Sequence, residues 1–247
     1  MSPTAIRQSP SRSNYGLDAP VVVRTMAMLA LALILAGVAL SFASSPSTAR
    51  FGPTLLWPGG SFAISALLMI ASSRFGKLRA RDRLLAYIAL RGNELVLDVG
   101  CGHGLMLIGA AHRVPTGSAI GIDLWSQTDQ HANSAEATRA NAIAEGVADR
   151  VSVEDGDMRA LPFDDASIDV VVSSLAIHNV PSAAERAVAV REIARVVRPG
   201  GSAGILDIAH VGDYARVLKS HGWTIERSGF TPWIFPPTRE LVARKPM

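Results

Sequence analysis

The sequence predicts an α/β domain with a mostly parallel, seven-stranded sheet covered by helices on both faces, preceded by two apolar helices. From residue 84 onward, short apolar runs alternate with segments of helical spacing, a pattern typical of βα units. Between Arg24 and Arg50 the chain has no charged residue. Charged residues make up 18% of the chain, against about 25% in ordinary soluble domains. Part of the apolar content therefore lies outside a normal core.

The first apolar segment, TMAMLALALILAGVALSFA, is long enough to cross a hydrocarbon core of roughly 30 Å as a helix. A second uncharged stretch, 51–73, contains Pro58, Gly59 and Gly60, so it either spans with a kink or enters the bilayer and returns. A signal peptide is the alternative for the first segment, but its apolar part exceeds a usual h-region. We therefore expect a two-segment transmembrane hairpin over residues 21–73.

Lys and Arg residues set the expected orientation of this hairpin, because cytoplasmic flanks carry an excess of them. Arg50 alone lies between the two segments, and the flanks carry Arg7, Arg12, Arg24, Arg74, Lys77, Arg79, Arg81 and Arg83. Both ends are thus expected on the cytoplasmic side of a multi-pass membrane protein. Residues 74–83 form a basic juxtamembrane linker that can contact anionic lipid, and residues 1–20, rich in Ser and Pro, predict a disordered tail.

The charge balance argues against a nucleic-acid partner. Residues 1–83 hold nine Lys or Arg and two acids. Residues 84–247 hold fifteen Lys or Arg and nineteen acids, a net charge of −4. The C-terminal domain therefore lacks the positive field that phosphate backbones require. The single cysteine, Cys101, excludes a disulfide scaffold and a zinc site built on several thiolates, and no metal site is expected.

Residues 84–247 carry seven predicted strands: ELVLDVG, SAIGIDL, RVSVEDGD, IDVVVSSL, SAGILDI, TIERSGF and RELVARK. Predicted helices cover 84–90, 105–113, 133–145 and 183–197. The last is ended by Pro199 and the two glycines that follow. In a parallel sheet of this kind the ligand lies beyond the carboxyl ends of the strands.

The segment VLDVGCGHG, residues 96–104, places three glycines between a strand and a helix. Glycines there let the backbone approach a ligand closely, with free amides at the helix start. A dinucleotide site also uses such a turn, and Asp123 stands where its ribose acid would be. The spacing is GxGxG rather than GxGxxG, however, and the carboxylate of Asp98 would repel a diphosphate. A cationic ligand suits this carboxylate better.

Four segments in this order, VLDVGCGHG, GIDLW, GDMRALPFDDASIDVVVSSLAIHN and REIARVVRPGG, make residues 84–247 resemble the class I S-adenosylmethionine-dependent methyltransferases. The resemblance is nearest to the ubiquinone and menaquinone methylase group and its small-molecule relatives. It implies a Rossmann-like methyltransferase sheet and S-adenosylmethionine as the cofactor. The residues that it places at the cofactor are Asp98, Gly100, Cys101, Gly102, Gly104, Asp123, Leu124, Gly156, Asp157, Met158 and Ser174.

Within that set, the resemblance implies that Asp98 and the amides of the glycine turn hold the methionine part of the donor. Asp123 would bind both ribose hydroxyls, since vicinal hydroxyls are donors that one carboxylate can accept. Asp157 would face the adenine amino group, and the Met158 backbone would meet the ring edge. Trp125, which follows the ribose acid, either covers the adenine or belongs to the rim or core.

His178 follows the fourth strand, where the methyl acceptor should lie, and an imidazole with a pKa near 6.5 suits the deprotonation of a hydroxyl or thiol. A role in the donor-pocket wall or in a structural hydrogen bond is the alternative. Asp207 and His210, at the end of the fifth strand, are weaker candidates. Cys101 is interpreted as a small residue of the donor loop rather than a nucleophile, because no paired base is evident nearby.

The acceptor is expected to be a small or amphiphilic molecule that is quinone-, lipid- or thiol-like. The fourth strand runs into SSLAIHNV, without the Asn/Asp-Pro-Pro-aromatic tetrad by which amino-methylating nucleic-acid enzymes hold a flipped base. The sequence thus predicts a membrane-anchored methyltransferase facing the cytoplasm, its oligomeric state unspecified. A nicotinamide-dependent oxidoreductase and a non-catalytic donor-binding membrane protein are the alternatives.

Overall fold

The computed structural model describes residues 13–126 and 133–247, which divide into two compact units. The first, here called the helical unit, comprises Leu17–Arg79 and Pro232–Pro236. The second, the sheet unit, comprises residues 13–16, Ala80–Thr231 and Pro237–Met247. The five residues 232–236 thus belong to the helical unit although they are far from it in sequence.

The helical unit is built on two long helices. Helix α1 covers Pro20–Ser41, a short helix α2 covers Pro46–Ala49, and helix α3 covers Gly52–Ala71. A π-helical turn, Ser72–Gly76, continues α3 into helix α4, Lys77–Ile88. The α1 helix and the run from Pro46 to Ile88 are long and apolar enough to cross a membrane, judged by length and composition.

Glycines let α1 and α3 pack closely as an antiparallel pair. A Cβ on Gly37 would lie 2.8 Å from the Leu56 side chain, and one on Gly52 would lie 2.7 Å from the Gly37 carbonyl oxygen. At the other end of the pair, Val23 of α1 packs with Met69 of α3. Small residues at a helix–helix contact are typical of apolar helices that gain stability from close packing.

Helix α3 continues through Pro58, so in secondary structure the second apolar segment is one helix, as the first of its two alternatives requires, and does not turn back at residues 58–60. Proline removes one backbone donor from a helix and crowds the preceding turn. One turn later the Ser61 hydroxyl donates a hydrogen bond of 3.0 Å to the carbonyl oxygen of Trp57.

The sheet unit contains all seven predicted strands. They are β1 (Leu95–Val99), β2 (Ser118–Asp123), β3 (Val151–Asp155), β4 (Ile168–Ser174), β5 (Val197–Asp207), β6 (Thr224–Thr231) and β7 (Thr238–Arg244). Their order in the sheet is β3-β2-β1-β4-β5-β7-β6. Only β7 runs antiparallel to its neighbours, which confirms the expectation of a mostly parallel sheet. The carboxyl ends of β1, β2, β4 and β5 consequently meet along one edge.

Four more helices cover the sheet: α5 (Leu105–Ala111), α6 (Ala135–Ala144), α7 (Ala183–Val196) and α8 (Val211–Ser220). The sequence analysis overlooked α8, although its buried residues Val211, Tyr214 and Leu218 recur at helical spacing. A capping box between Ser182 and Glu185 starts α7. The core of the unit lies between the sheet and these helices, and it includes Ile193 and Leu218, both fully buried.

Strand β5 begins earlier than expected, at Val197 rather than after the two glycines. Val197 pairs with Ile168 of β4, and the register then shifts before Val170 pairs with Ser202. The Pro-Gly-Gly sequence is therefore absorbed as an irregularity within the strand, because the backbone on both sides of it finds a partner in β4.

Residues 13–16 contact helix α6 of the sheet unit. The side-chain amide of Asn141 donates to the Asn14 carbonyl at 3.0 Å and to the His103 carbonyl at 2.9 Å, while its oxygen accepts from the Asn14 amide at 2.8 Å. The buried Tyr15 hydroxyl donates to Glu145 at 3.3 Å, and burial and the Glu145 charge raise its pKa to about 12. This part of the expected tail therefore has defined partners; residues 1–12 lie outside the described residues.

Candidate active site

The glycine turn after β1 has a backbone that other residues adopt only under strain. Gly100, Gly102 and Gly104 have φ angles of 72°, 49° and 83°, in the left-handed region that favours glycine. A Cβ on Gly100 would also lie 2.3 Å from the Ala176 Cβ. The turn is held by Ile122 of β2, whose carbonyl accepts from the Gly100 and Cys101 amides at 2.9 and 3.0 Å.

Asp98, at the end of β1, is a buried carboxylate with one oxygen unused. Its Oδ2 accepts a hydrogen bond of 2.8 Å from the Leu107 amide, whereas Oδ1 has no hydrogen-bond partner among the described residues. Burial, with the nearby charge of Asp123, raises the pKa of Asp98 to about 8. A buried unpaired carboxylate oxygen is costly, and a bound cation would relieve that cost. The side chain thus fits the ammonium of S-adenosylmethionine.

Asp123, at the end of β2, ties the glycine turn to the next loop. Its Oδ2 accepts from the Gly102 amide at 2.9 Å, and Oδ1 accepts from the Trp125 amide at 2.7 Å and from the Asn133 side chain at 3.2 Å. A carboxylate offers about four acceptor positions, so ribose hydroxyls would share or displace these donors. The neighbouring Leu124 is exposed.

Trp125 has a defined contact at the end of β3. Its indole N–H donates a hydrogen bond of 2.6 Å to Asp155, and its own backbone has a φ of 57°. This contact fixes the indole ring beside the end of β3, and its role toward the adenine stays a prediction.

Asp157 is engaged by a residue that the sequence analysis did not consider. The Arg159 guanidinium donates to its two oxygens at distances of 2.7 to 3.1 Å, and these bonds hold the pKa of Asp157 below its usual range. Arg159 also pairs with Glu185 at 2.6 Å. The role of Asp157 toward adenine stays a prediction, since the donor would have to share this carboxylate with Arg159.

The remaining residues expected at the cofactor lie along the same edge. The Gly156 amide donates to the Asp123 carbonyl at 3.1 Å, and the Met158 side chain lies against the glycine turn, 3.4 Å from where a Gly100 Cβ would be. Ser174 is the last residue of β4 and pairs with Leu206 of β5. The residues brought together here come from the ends of four strands.

Cys101 is buried, and burial together with the charges of Asp98 and Asp123 raises its pKa well above the usual value. The thiol is therefore kept neutral, whereas a nucleophilic cysteine needs a lowered pKa. This supports the interpretation of Cys101 as a small residue of the turn. Across the described part of the chain, no group of three or more His, Cys, Asp or Glu side chains is arranged for a metal ion.

His178 lies in a short 3₁₀ turn, Ile177–Asn179, directly after β4. Its Nδ1 is 2.6 Å from Oδ1 of Asp207, at an angle outside hydrogen-bond geometry. Its backbone amide donates to Oδ2 of the same carboxylate at 3.0 Å. Asp207 is fully buried and also accepts from the Tyr214 hydroxyl at 3.2 Å. The carboxylate therefore holds the backbone of His178 by a hydrogen bond and lies close to its ring.

Tyr214 completes this cluster from helix α8. Burial and the adjacent Asp207 raise the pKa of its phenol far above the ordinary value, so it acts as a hydrogen-bond donor. The other candidate at this edge, His210, begins α8 and has its Nδ1 3.8 Å from Asp213. The adjacency of β4 and β5 explains why His178 and Asp207 meet.

The fold and this edge define a doubly wound α/β domain with a glycine turn after the first strand. Residues 97–205 match the family described as a methyltransferase domain (Methyltransf_11). Over these residues the chain is therefore similar to methyltransferase domains.

Two curated relatives and one solved structure illustrate the similarity. The chain is 35% identical over 132 residues to 27-O-demethylrifamycin SV methyltransferase of Amycolatopsis mediterranei, covering 52% of this chain and 44% of the relative. It is 28% identical over 128 residues to demethylmenaquinone methyltransferase of Lactobacillus johnsonii, covering 51% of this chain and 49% of the relative. The chain thus spans less than half the length of each relative.

The solved structure is an S-adenosylmethionine-dependent methyltransferase from Aquifex aeolicus. It is superimposed with a TM-score of 0.55 at 17% identity, covering 68% of this chain and 90% of that chain. At this level of identity the likeness concerns the fold alone.

Proposed function

We propose that the protein is a membrane-anchored methyltransferase that transfers the methyl group of S-adenosylmethionine to a small, amphiphilic acceptor of quinone-, lipid- or thiol-like chemistry. The observation that carries the proposal is the unpaired buried oxygen of Asp98 beside the glycine turn, at the sheet edge that also holds His178 and Asp207. The demethylmenaquinone methyltransferase relative supports a quinone-like acceptor.

In this proposal the chain's own residues mainly bind and orient. Asp98 receives the ammonium of the donor through charge-assisted hydrogen bonds, and the glycine turn brings backbone amides close to it. Asp123 accepts the ribose hydroxyls, and Asp157 and Met158 border the adenine. Holding two reactants in line can contribute about 7 to 11 kcal/mol relative to free encounter.

S-adenosylmethionine supplies an electrophilic methyl group on a sulfonium, and the electrons of the broken S–C bond stay on sulfur. His178 takes the proton of a hydroxyl or thiol acceptor as the new bond to carbon forms. Asp207 stabilises the resulting imidazolium and keeps Nδ1 directed away from the acceptor, which leaves Nε2 as the base. A thiolate acceptor would need no such base.

The activity is tested with methyl-labelled S-adenosylmethionine and an extract of small molecules and membrane lipids, followed by identification of labelled products. We expect a labelled acceptor together with S-adenosylhomocysteine. Tight binding of NADH by calorimetry, with no binding of S-adenosylmethionine, would instead favour an oxidoreductase. Donor binding without any labelled product would favour the non-catalytic alternative.

Donor binding is expected to release about one proton per site at pH 7. Asp98 has a pKa of about 8 in the unliganded protein, so it is largely protonated at pH 7 and must ionise to pair with the ammonium. Because the bound state holds fewer protons, affinity rises with pH until the carboxylate is already ionised. Calorimetry in buffers of different ionisation enthalpy measures this release. Asp98→Asn should abolish it, and equal release in that variant would exclude Asp98.

Anchoring rests on α1 and α3, whose outward surfaces are apolar: Leu31 and Leu35 on α1, and Leu67 on α3, are exposed. We propose that both helices cross the bilayer and that the flanking arginines keep the sheet unit on the cytoplasmic side. The full chain should stay in the membrane fraction after washing with high salt and should be released by detergent. Release by salt alone would mean electrostatic attachment, because buried helices do not respond to screening.

A further inference from the structure

The connection between β6 and β7 is fixed within the helical unit. Ile234 is buried, and Phe235 packs against the cluster that contains Val23 and Met69. The Phe235 amide donates a hydrogen bond of 2.9 Å to the Ser72 hydroxyl. The approach at Gly76 is so close that a Cβ there would lie 1.8 Å from the carbonyl oxygen of Trp233. The segment that connects β6 and β7 in the chain is thus attached to the helical unit at the end of α3.

The outer side of this attachment carries aromatic and cationic side chains. Trp233 is 42% exposed and Phe75 is 63% exposed. The Arg79 guanidinium lies over the Trp233 ring, 5.4 Å from its centroid, and Arg74 is exposed beside Phe75 in the chain. We call Arg74, Phe75, Arg79 and Trp233 the aromatic–arginine belt.

The positive charge of the belt is not neutralised within the described part of the helical unit. The acidic residue in the described part of that unit is Asp18, whose Oδ1 forms an ion pair with the buried Lys77 at 3.1 Å. Its Oδ2 accepts a hydrogen bond of 3.0 Å from the Ser73 hydroxyl. Arg74 and Arg79 have no acidic partner in residues 17–79 or 232–236. Two guanidinium groups therefore face outward without a counter-ion.

The belt directly follows an apolar helix surface. Leu67 and Leu68, in the last turns of α3, are 66% and 45% exposed. Tryptophan and arginine at the end of an apolar span are typical of the membrane–water interface. There the amphipathic indole ring contacts both apolar and polar surroundings, and the guanidinium reaches the headgroups. The positive charge of the belt and its position at the end of an apolar helix together favour anionic phospholipid as the ligand.

We propose that the aromatic–arginine belt binds the headgroups of anionic phospholipids, so that the β6–β7 connection is a third membrane-contacting element beside α1 and α3. The proposal rests on the membrane anchoring proposed above. It adds a lipid preference and assigns Trp233 to the interface rather than to the aqueous phase.

The depth of Trp233 tests the position of the belt. The full chain is reconstituted into phosphatidylcholine nanodiscs that carry bromine near the headgroup or deep in the acyl chains, and tryptophan quenching is compared with that of Trp233→Phe and Trp57→Phe. Trp57, on α3, is 81% exposed and reports on the span. We expect the Trp233 contribution to be quenched mainly by shallow bromine. Quenching of Trp57 without quenching of Trp233 overturns the belt but leaves the anchoring; quenching of neither overturns the anchoring.

Lipid preference is tested with nanodiscs that contain phosphatidylglycerol and phosphatidylcholine, followed by detergent extraction and measurement of the two lipids retained on the protein. We expect enrichment of phosphatidylglycerol, reduced in Arg74→Gln/Arg79→Gln by about fivefold for each arginine, which corresponds to about 1 kcal/mol per residue. The control is Arg216→Gln, an exposed arginine of α8 paired with Asp213 at 2.9 Å. Equal enrichment in the double variant and the control overturns the lipid preference.

Discussion

We expect His178→Ala to lower the turnover of methyl transfer by about 10²- to 10⁴-fold while donor affinity stays nearly unchanged. The imidazole lies beyond β4, with Nδ1 2.6 Å from the buried carboxylate of Asp207. Loss of a base affects the step in which the acceptor gives up its proton, whereas donor binding needs no base. Steady-state kinetics, paired with calorimetry of donor binding, separates the two effects.

The pH profile and a matched histidine sharpen this test. If His178 is the general base, the pH profile of turnover should differ between the wild type and His178→Ala. His221→Ala, at the exposed end of α8, is the control and should retain both rate and profile. Wild-type turnover in His178→Ala would remove this residue from the chemistry and favour an acceptor that is already a thiolate.

Asp207→Asn examines whether the carboxylate acts through His178. The fold should survive because the side chains are nearly isosteric and the Tyr214 hydroxyl can still donate to an amide oxygen. Turnover should fall while KM for the donor stays unchanged, because the imidazolium that forms during transfer no longer has the negative charge of the Asp207 carboxylate beside it. A merely structural role would lower stability and leave the pH profile of the remaining activity unchanged.

Local patterns were enough to predict the sheet and the glycine turn. The seven strands are short apolar runs bounded by turn residues, so each is recognised without its partners. Asp98 and the glycines after it lie within one strand–turn–helix segment, so residue types at fixed spacing predict the turn, and the resemblance implies their roles at the donor. The exception is α8, which was not predicted although its buried residues Val211, Tyr214 and Leu218 recur at helical spacing.

The contacts that could not be predicted join residues far apart in the chain. Asn141 bridges Asn14 to the His103 carbonyl, and Phe235 meets Ser72. No local pattern encodes such pairs, since they depend on how helices and strands assemble. Arg159 lies only two residues after Asp157, but a short sequence separation does not show that the two side chains form an ion pair.

Asp123→Ala is expected to weaken S-adenosylmethionine binding by about 10- to 150-fold, which corresponds to a lost charged hydrogen bond of about 1.5 to 3 kcal/mol. Two effects contribute to this loss. The ribose hydroxyls lose their acceptor, and the Gly102 amide, 2.9 Å from Oδ2, loses the partner that holds the glycine turn. Calorimetry of the wild type, Asp123→Ala and the control Asp149→Ala, an exposed acid paired with Arg150, measures the change.

A donor analogue without the ribose 2′-hydroxyl separates the two effects. If Asp123 binds the ribose, removing the hydroxyl weakens binding to the wild type but has little further effect on Asp123→Ala, because the shared interaction is already lost. If Asp123 only supports the turn through Gly102, the analogue loses the same factor in both proteins. Equal losses would therefore assign the carboxylate to the shape of the turn, and unchanged affinity in Asp123→Ala would remove it from the donor site altogether.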